Sequence, residues 1–208
     1  MKRLAFAAAF IVAGLVLGLN WHPQTGGYGQ LWPLNTFLYN PEYRLGDLKV
    51  PVLETIHMDP YHYYMKNAGT PSYFPFAFLA LSTMRHWPTA NVVALFVGLS
   101  IVVYLLACLL SARIWKNMGI ESDALPLLLA VIAFANYPFL LALTQGNIEA
   151  ILAGLCFISL LLLYLGRPYA AALILAVPIA LKGYPMMLGL VFVAEGRWRA
   201  ALLAGLAA

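Results

Sequence analysis

The sequence predicts an all-α integral membrane protein built as a multi-span helical bundle. Of its 208 residues, 63% are hydrophobic and only 10% are charged. No water-soluble domain of this size tolerates such a composition. The apolar residues are gathered in long runs separated by polar connections, which is the pattern of membrane-spanning helices.

Six apolar segments and the beginning of a seventh follow one another along the chain. The first comes directly after Met1-Lys2-Arg3, and no Ala-x-Ala cleavage site lies immediately before Asn20, so it is interpreted as an uncleaved transmembrane helix. A cleaved secretory signal is the alternative. The last segment ends at Ala208, which predicts that residues 1–208 are the N-terminal part of one longer transmembrane domain. The segments lie at about residues 4–19, 73–84, 89–112, 125–143, 148–165 and 169–194, and from residue 200 onwards.

Residues 20–72 form a polar stretch between the first two apolar segments. The stretch contains four of the eight acidic residues and three of the four histidines, and it is rich in Pro, Gly, Tyr and Trp. It is too polar to span a membrane and too short to form a domain with its own core. We expect a large first extracytoplasmic loop whose short interfacial helices lie on the bilayer, with aromatic side chains at the headgroup level.

Segment 73–84 is too short for an ordinary span. The hydrocarbon core of a bilayer is about 30 Å thick and needs roughly 20 helical residues. This segment is shorter than that and contains Pro75. We therefore expect it to be re-entrant or only partly inserted.

The cations indicate membrane topology rather than nucleic-acid binding. The formal net charge is +4, but the lysines and arginines stand singly between apolar runs and form no basic face. The positive-inside rule places Arg113 and Lys116, at the end of segment 89–112, in the cytoplasm with Lys2 and Arg3. The lipid bilayer is therefore an expected partner, and nucleic acid is not.

The next two segments follow from this orientation. Segment 125–143 returns outwards, and segment 148–165 comes back to the cytoplasm at Arg167. The polar turn at residues 144–147 is then extracytoplasmic, on the same side as the large loop.

Lys182 is a cation inside the long apolar segment 169–194. An ionisable group at membrane depth costs several kcal/mol or more, and it is expected to belong to a site with an anionic partner. The alternative is that the long side chain extends to the membrane interface and has no functional role.

The backbone around Lys182 is expected to be broken. Pro178 and Pro185 disfavour a continuous helix. A single span would place Arg197 and Arg199 outside, whereas a short hairpin that turns at Lys182 keeps them in the cytoplasm. The charges favour the hairpin, and discontinuous backbone at membrane depth is tolerated where it lines a cavity.

Five short motifs, taken in order, carry a resemblance to a known family. They are Asn35-Thr36-Phe37-Leu38-Tyr39-Asn40-Pro41 leading to Arg44-Leu45-Gly46-Asp47, then Asp59-Pro60-Tyr61, Tyr73-Phe74-Pro75-Phe76, Gln145-Gly146-Asn147-Ile148-Glu149 and Leu181-Lys182-Gly183-Tyr184-Pro185. With these motifs the chain resembles the polyprenyl-phosphate-sugar-dependent glycosyltransferases of the GT-C fold. It is most similar to the family 87 group, which includes α-mannosyltransferases that act outside the cytoplasmic membrane. The resemblance runs from about residue 35 to residue 199.

The resemblance implies a multi-pass enzyme of the cell membrane with its active site on the extracytoplasmic side. Its donor would be a mannose-like hexose or a pentose on polyprenyl phosphate, and its acceptor a lipid or a glycan. A loop carboxylate would act as general base and deprotonate the acceptor hydroxyl. A cation would stabilise the departing phosphate. Neither a cofactor nor a metal is expected, because the leaving group is already an anion.

Asp47 is the preferred general base. In the family the catalytic acid lies in the first outer loop, upstream of a Pro-Tyr pair, and Asp47 has that place before Pro60-Tyr61. An aromatic residue commonly follows the acid in the family, whereas Leu48 follows it here. Asp59 is the second catalytic candidate, although Asp before Pro is also a common turn starter. Glu54 and Glu42 stay open as further candidates.

The remaining candidates would bind the substrates. Lys182 and Arg44 are assigned to the donor phosphate. The loop histidines and tyrosines could instead be solvated or anchored at the interface, and Asn147 could simply cap the next helix. Glu149, in the first turn of that helix, is accounted for by the helix dipole. The candidates for substrate binding are His57, Tyr61, His62, Gln145, Asn147 and Tyr184.

Two other classes of function fit the same architecture. A membrane transporter could use Lys182 and Glu149 as a charge pair beside a broken helix, but the acidic, aromatic outer loop argues against it. A non-catalytic lipid-binding or assembly protein would need no loop carboxylate. Cys108 and Cys156 both lie in apolar runs, where a packing role is expected.

Overall fold

The protein is all-helical wherever its structure is described. The computed structural model describes residues 48, 75–84, 86–120, 122, 124–134, 139, 142–143 and 146–208. No β-strand occurs within these residues, which confirms the predicted all-α class for this part of the chain. The helices are α1 Pro75–Ser82, α2 Thr89–Asn117, α3 Leu125–Phe134, α4 Glu149–Tyr164, α5 Pro168–Leu181, a 3-10 helix Tyr184–Leu188, α6 Gly189–Ala194 and α7 Trp198–Ala207.

Helix α2 is the one helix in the described ranges that is long and apolar enough to cross a membrane. Its stretch Ala90–Asn117 has 28 residues, and an 18-residue window within it has a mean hydropathy of 2.8. Helices α4, α5 and α7, and the 3-10 helix taken together with α6, are also apolar but have only 10–17 residues. The predicted multi-span bundle therefore stays a prediction.

Helices α2 and α4 pack closely because Gly154 has no side chain. A Cβ atom at this position would lie 2.4 Å from Val103 Cγ1 and 3.2 Å from the ring of Tyr104. Real Cβ atoms do not approach other atoms so closely, so glycine allows the two backbones to come together. The buried cluster around this contact also includes Leu81 of α1 and Leu48, which precedes α1 in the chain. Its members are Leu48, Leu81, Val92, Phe96, Val103, Ala107, Ile151 and Ile158.

Helix α5 packs between α4 and α7. The hydroxyl of Ser159 on α4 donates a hydrogen bond of 2.9 Å to the carbonyl of Ala171 on α5, and both residues are fully buried. On its other side α5 contacts α7 through small residues. This second buried cluster consists of Ala171, Ala172, Leu175, Ile179, Phe192, Ala200 and Ala204.

The apolar segment that contains Lys182 is broken. Pro178 lies inside α5 and has no N–H to donate to the carbonyl of Ile174. The helix ends at Leu181, and the backbone of Lys182 is extended, with φ −147° and ψ 85°. The N–H of Lys182 still bonds to the carbonyl of Pro178, at 2.9 Å. The interruption predicted from the prolines is therefore present.

The chain then turns back on itself. Pro168 and Tyr169, at the start of α5, line the same pocket as residues 196–200, at the start of α7. The 3-10 helix and α6 must therefore return the chain to the end of the bundle where α5 began. The segment forms a hairpin with Lys182 near its tip, as the cations predicted.

This path of the chain defines two ends of the described bundle. At one end, Ala77 and Phe78 of α1 contact Ile148, just before α4, and Leu181, the last residue of α5. We call it the Lys182 end (residues 77–78, 148–149 and 181–182). The other is the Arg197 end (residues 167–169 and 196–200), which holds the starts of α5 and α7. Arg167, Arg197 and Arg199 thus lie away from Lys182.

Candidate functional site

A tight turn at Gly146 sets the position of helix α4. Gly146 has φ +70°, in the left-handed region that glycine occupies without steric cost. Its N–H bonds to the carbonyl of Leu143 at 3.2 Å, and the N–H of Asn147 bonds to that of Ala142 at 2.8 Å. This pair of hydrogen bonds is the Schellman arrangement that ends helices. The chain therefore stops one helix at residues 142–143 and starts α4 within a few residues.

Asn147 caps the beginning of α4. Its side-chain oxygen accepts a hydrogen bond of 2.9 Å from the N–H of Glu149, and its carbonyl accepts one from Ala150 at 3.2 Å. The side chain therefore satisfies one of the free donors of the first helical turn. This is the structural role that the sequence left open for Asn147. A contact of Asn147 with substrate stays a prediction.

Glu149 and Lys182 form an ion pair at the Lys182 end. The ammonium nitrogen of Lys182 donates a hydrogen bond of 2.7 Å to Oε1 of Glu149. The Lys182 side chain is 10% exposed, whereas that of Glu149 is 48% exposed. Glu149 is also the first residue of α4, where the helix dipole favours a negative charge. A nearly buried cation is thus held by a carboxylate that reaches the surface.

The pairing gives Lys182 the kind of anionic partner that its sequence context predicted. One partner within the chain is Glu149. From the sequence, this carboxylate is accounted for by the helix dipole, and it is paired with Lys182 only in the transporter interpretation. Both residues lie in the motifs that carry the family resemblance, and this is the signal in the sequence that points to their pairing. What the sequence could not show was that the start of α4 meets the end of α5.

Tyr184 comes two residues after Lys182 and begins the 3-10 helix. Its side chain is exposed, and it lies within electrostatic range of the Glu149 carboxylate. The next residue, Pro185, is fully buried and fixes the turn against the bundle. Tyr184 is therefore placed where a bound molecule at the Lys182 end could reach it.

The other predicted site residues lie outside the described residues. They are Asp47, Asp59, Arg44, His57, Tyr61, His62 and Gln145, with the further candidates Glu42 and Glu54. Leu48, which follows Asp47 in the chain, is described. It is only 5% exposed and belongs to the same buried cluster as Leu81 and Val92. Within the described ranges, no group of three or more His, Cys, Asp or Glu side chains could hold a metal ion.

The comparison with protein families shows the family of this chain. The model of glycosyltransferase family 87 matches residues 72–208, which is more than half of the chain. The chain belongs to glycosyltransferase family 87. Searches of curated proteins and of solved structures gave no match.

Membership of family 87 makes the protein a glycosyltransferase, which implies a sugar donor and an acceptor. The matched region contains the motifs around Glu149 and Lys182, so the ion pair lies within the family domain. The region starts after Asp47 and Asp59. Helix α2 is consistent with an association of this glycosyltransferase with the membrane.

Proposed function

We propose that this family 87 glycosyltransferase takes a mannose-like hexose or a pentose from a polyprenyl-phosphate donor and transfers it to a lipid or glycan acceptor. In this proposal the enzyme is a multi-pass protein of the GT-C type in the cell membrane, with its active site on the extracytoplasmic side. The observation that supports it best is the Lys182–Glu149 ion pair at the tip of the broken hairpin. A soluble nucleotide-sugar enzyme has no need of a cation set in an apolar segment.

Lys182 is suited to bind the donor phosphate. Lysine binds phosphate groups as a compact point charge, and burial strengthens its attraction for an anion. The half-exposed carboxylate of Glu149 keeps the ammonium at the Lys182 end of the bundle. A donor whose lipid tail lies in the bilayer would bring its phosphate to this depth, where it would contact Lys182 beside Glu149. Arg44, from the outer loop, is proposed as a second cation for the same phosphate.

Asp47 is proposed as the general base. It would take the proton of the acceptor hydroxyl while that oxygen attacks the anomeric carbon of the sugar, and the bond from this carbon to the phosphate oxygen would break. Polyprenyl phosphate would leave as an anion next to Lys182. The buried position of Leu48 favours Asp47, because consecutive residues are only about 3.8 Å apart and the chain at Leu48 is held against the bundle. Asp59 is the alternative base.

The sugar and the acceptor would be bound around these groups. Aromatic and imidazole side chains of the outer loop could stack on sugar rings and hydrogen-bond their hydroxyls. Tyr184 comes two residues after Lys182 in the chain and is exposed at the same end. The residues proposed for these contacts are His57, Tyr61, His62, Gln145, Asn147 and Tyr184.

Sugar transfer by the full-length protein tests the proposal. Membranes containing the protein would be supplied with radiolabelled hexoses and pentoses on polyprenyl phosphate, and label in lipid or glycan products would be measured. We expect Asp47→Asn to lower transfer by about 10²–10⁴-fold while donor binding is kept, because the base acts mainly in the transition state. Lys182→Met should weaken donor binding. Glu195→Gln, which removes an exposed carboxylate from the turn before α7, is the matched control and should behave like the parent.

The outcomes separate the alternatives. If Asp59→Asn abolishes transfer and Asp47→Asn does not, Asp59 is the base and the enzyme proposal stands. If the parent protein transfers no sugar from any polyprenyl-phosphate donor but does so from a nucleotide sugar, the proposed donor class is wrong. Equal donor affinity of Lys182→Met and the parent would remove Lys182 from the phosphate site.

A further inference from the structure

A pocket opens at the Arg197 end, away from Lys182 and Glu149. Its volume is about 230 Å³, several times the roughly 30 Å³ that one water molecule occupies in the liquid. The pocket lies where the N-terminal ends of α5 and α7 come together, and the proposed sugar transfer does not use it. Its lining residues are Pro168, Tyr169, Gly196, Arg197, Trp198, Arg199 and Ala200.

The charged side chains named in this lining are both positive. Among the described residues that line it, Arg197 and Arg199 are the ionised ones, and Glu195, the nearest carboxylate along the described chain, is not among them. The guanidinium carbon of Arg199 lies 5.3 Å from the centre of the Trp198 ring, a cation–π contact that holds this side chain at the pocket. Two arginines and an aromatic ring form a lining that suits a phosphate group, because a guanidinium can donate two parallel hydrogen bonds to its oxygens.

Each aromatic residue of the pocket also begins an exposed apolar stripe. Residues four apart lie on the same face of a helix. Both stripes start at the pocket and run in the same direction, because α5 and α7 begin at the same end. The two stripes are Tyr169, Leu173 and Val177 on α5, and Trp198, Leu202 and Leu206 on α7, and all six side chains are exposed.

We propose that this pocket binds the phosphate of an anionic membrane lipid, whose acyl chains lie along the two stripes. Basic pockets between helices on the cytoplasmic side bind such headgroups, and Trp and Tyr are enriched at headgroup level. The stripes favour a lipid over free phosphate, since a small soluble anion would make no use of apolar surface leading away from the arginines. The inference rests on the membrane location in the proposed function, but it concerns the opposite end of the bundle from the transfer site.

Lipid retention by the full-length protein tests the site. The protein would be reconstituted in vesicles of equal parts phosphatidylcholine and phosphatidylglycerol and extracted in mild detergent, and the co-purified lipids would be counted by native mass spectrometry. We expect selective retention of phosphatidylglycerol by the parent. The double variant Arg197→Gln, Arg199→Gln should lose that retention by about tenfold or more, because each cation near an anionic lipid contributes substantially to binding.

A matched pair of cations is the control. Arg113→Gln with Lys116→Gln removes the same charge from the end of α2 and should retain phosphatidylglycerol like the parent. Equal loss in both double variants would show general electrostatic attraction and overturn the site, as would a parent that shows no preference for phosphatidylglycerol. Glycerol phosphate, the soluble headgroup without acyl chains, should not displace the lipid. If it does so readily, the pocket is a free-phosphate site. Sugar transfer is not part of this measurement, so its outcome is independent of the proposed reaction.

Discussion

Lys182 and Glu149 are 33 residues apart in the sequence and 2.7 Å apart in space. Their ion pair connects the end of α5 to the start of α4, and these two helices run antiparallel. The two charges are not equivalent, because the ammonium is nearly buried and the carboxylate is half exposed. This difference in burial predicts an unequal response to mutation.

Removing Glu149 should destabilise the protein more than removing Lys182. In Glu149→Ala the buried ammonium loses this carboxylate, whereas in Lys182→Met an apolar chain fills the site and the carboxylate remains in contact with solvent. A buried charge that loses one of its hydrogen-bonded carboxylates is destabilised, and the partial exposure of Glu149 reduces the expected cost to about 1–2 kcal/mol. Thermal unfolding in detergent, followed by circular dichroism, measures both variants. A lower melting temperature for Lys182→Met than for Glu149→Ala would contradict this.

Gly154→Ala should loosen the contact between α2 and α4. The new methyl group would meet Val103 Cγ1 at 2.4 Å, and a branched side chain attached to a helix has little freedom to move away. Overpacking of this kind costs about 1–3 kcal/mol.

Gly98 on α2 is the matched control. A Cβ there meets nothing within 4 Å, so Gly98→Ala should be neutral or stabilise the helix by up to about 1 kcal/mol. The difference in unfolding free energy between the two variants tests the close approach. If Gly154→Ala is as stable as Gly98→Ala, α2 and α4 are not in contact at this point.

Ser159→Ala should weaken the packing of α5 on α4. The variant loses a buried hydrogen bond between helices, which contributes about 1 kcal/mol. Ser100 is the matched control, because it is equally buried but bonds to the carbonyl of Phe96 within its own helix. Ser100→Ala should cost less. The free energies of unfolding of the two variants, measured with urea or by heating, test this prediction. A larger loss of stability for Ser100→Ala would show that the Ser159 hydrogen bond does not hold the helices together.

Labelling of single cysteines should place residues near Arg167 and Arg197 on the same side of the membrane. With Cys108 and Cys156 replaced by serine, we expect Arg167→Cys and Glu195→Cys to react only with a reagent added on the cytoplasmic side. Asn147→Cys should react from outside, because it lies at the Lys182 end. Labelling of Glu195→Cys from outside, with Arg167→Cys inside, would contradict the hairpin.

The sequence predicted those features of the fold that depend on local chemistry. The break near Lys182 followed from Pro178 and Pro185, and the start of α4 followed from the cap that Asn147 provides. The ion-pair partner of Lys182 could not be read in the same way, because it depends on how α4 lies against α5. The burial of Leu48 was equally hidden, since nothing in the sequence around it shows that the chain packs there against α1 and α2.

The hairpin has a consequence for biogenesis. Helix α5 has 14 residues, a length of about 21 Å, and the returning arm is shorter still, while the hydrocarbon core is about 30 Å thick. Neither arm is long enough to be released into lipid alone as a spanning helix. We expect the insertion machinery to hold α5 until residue 194 has been synthesised, so that both arms enter the bilayer together and the two arginines after them never have to cross it.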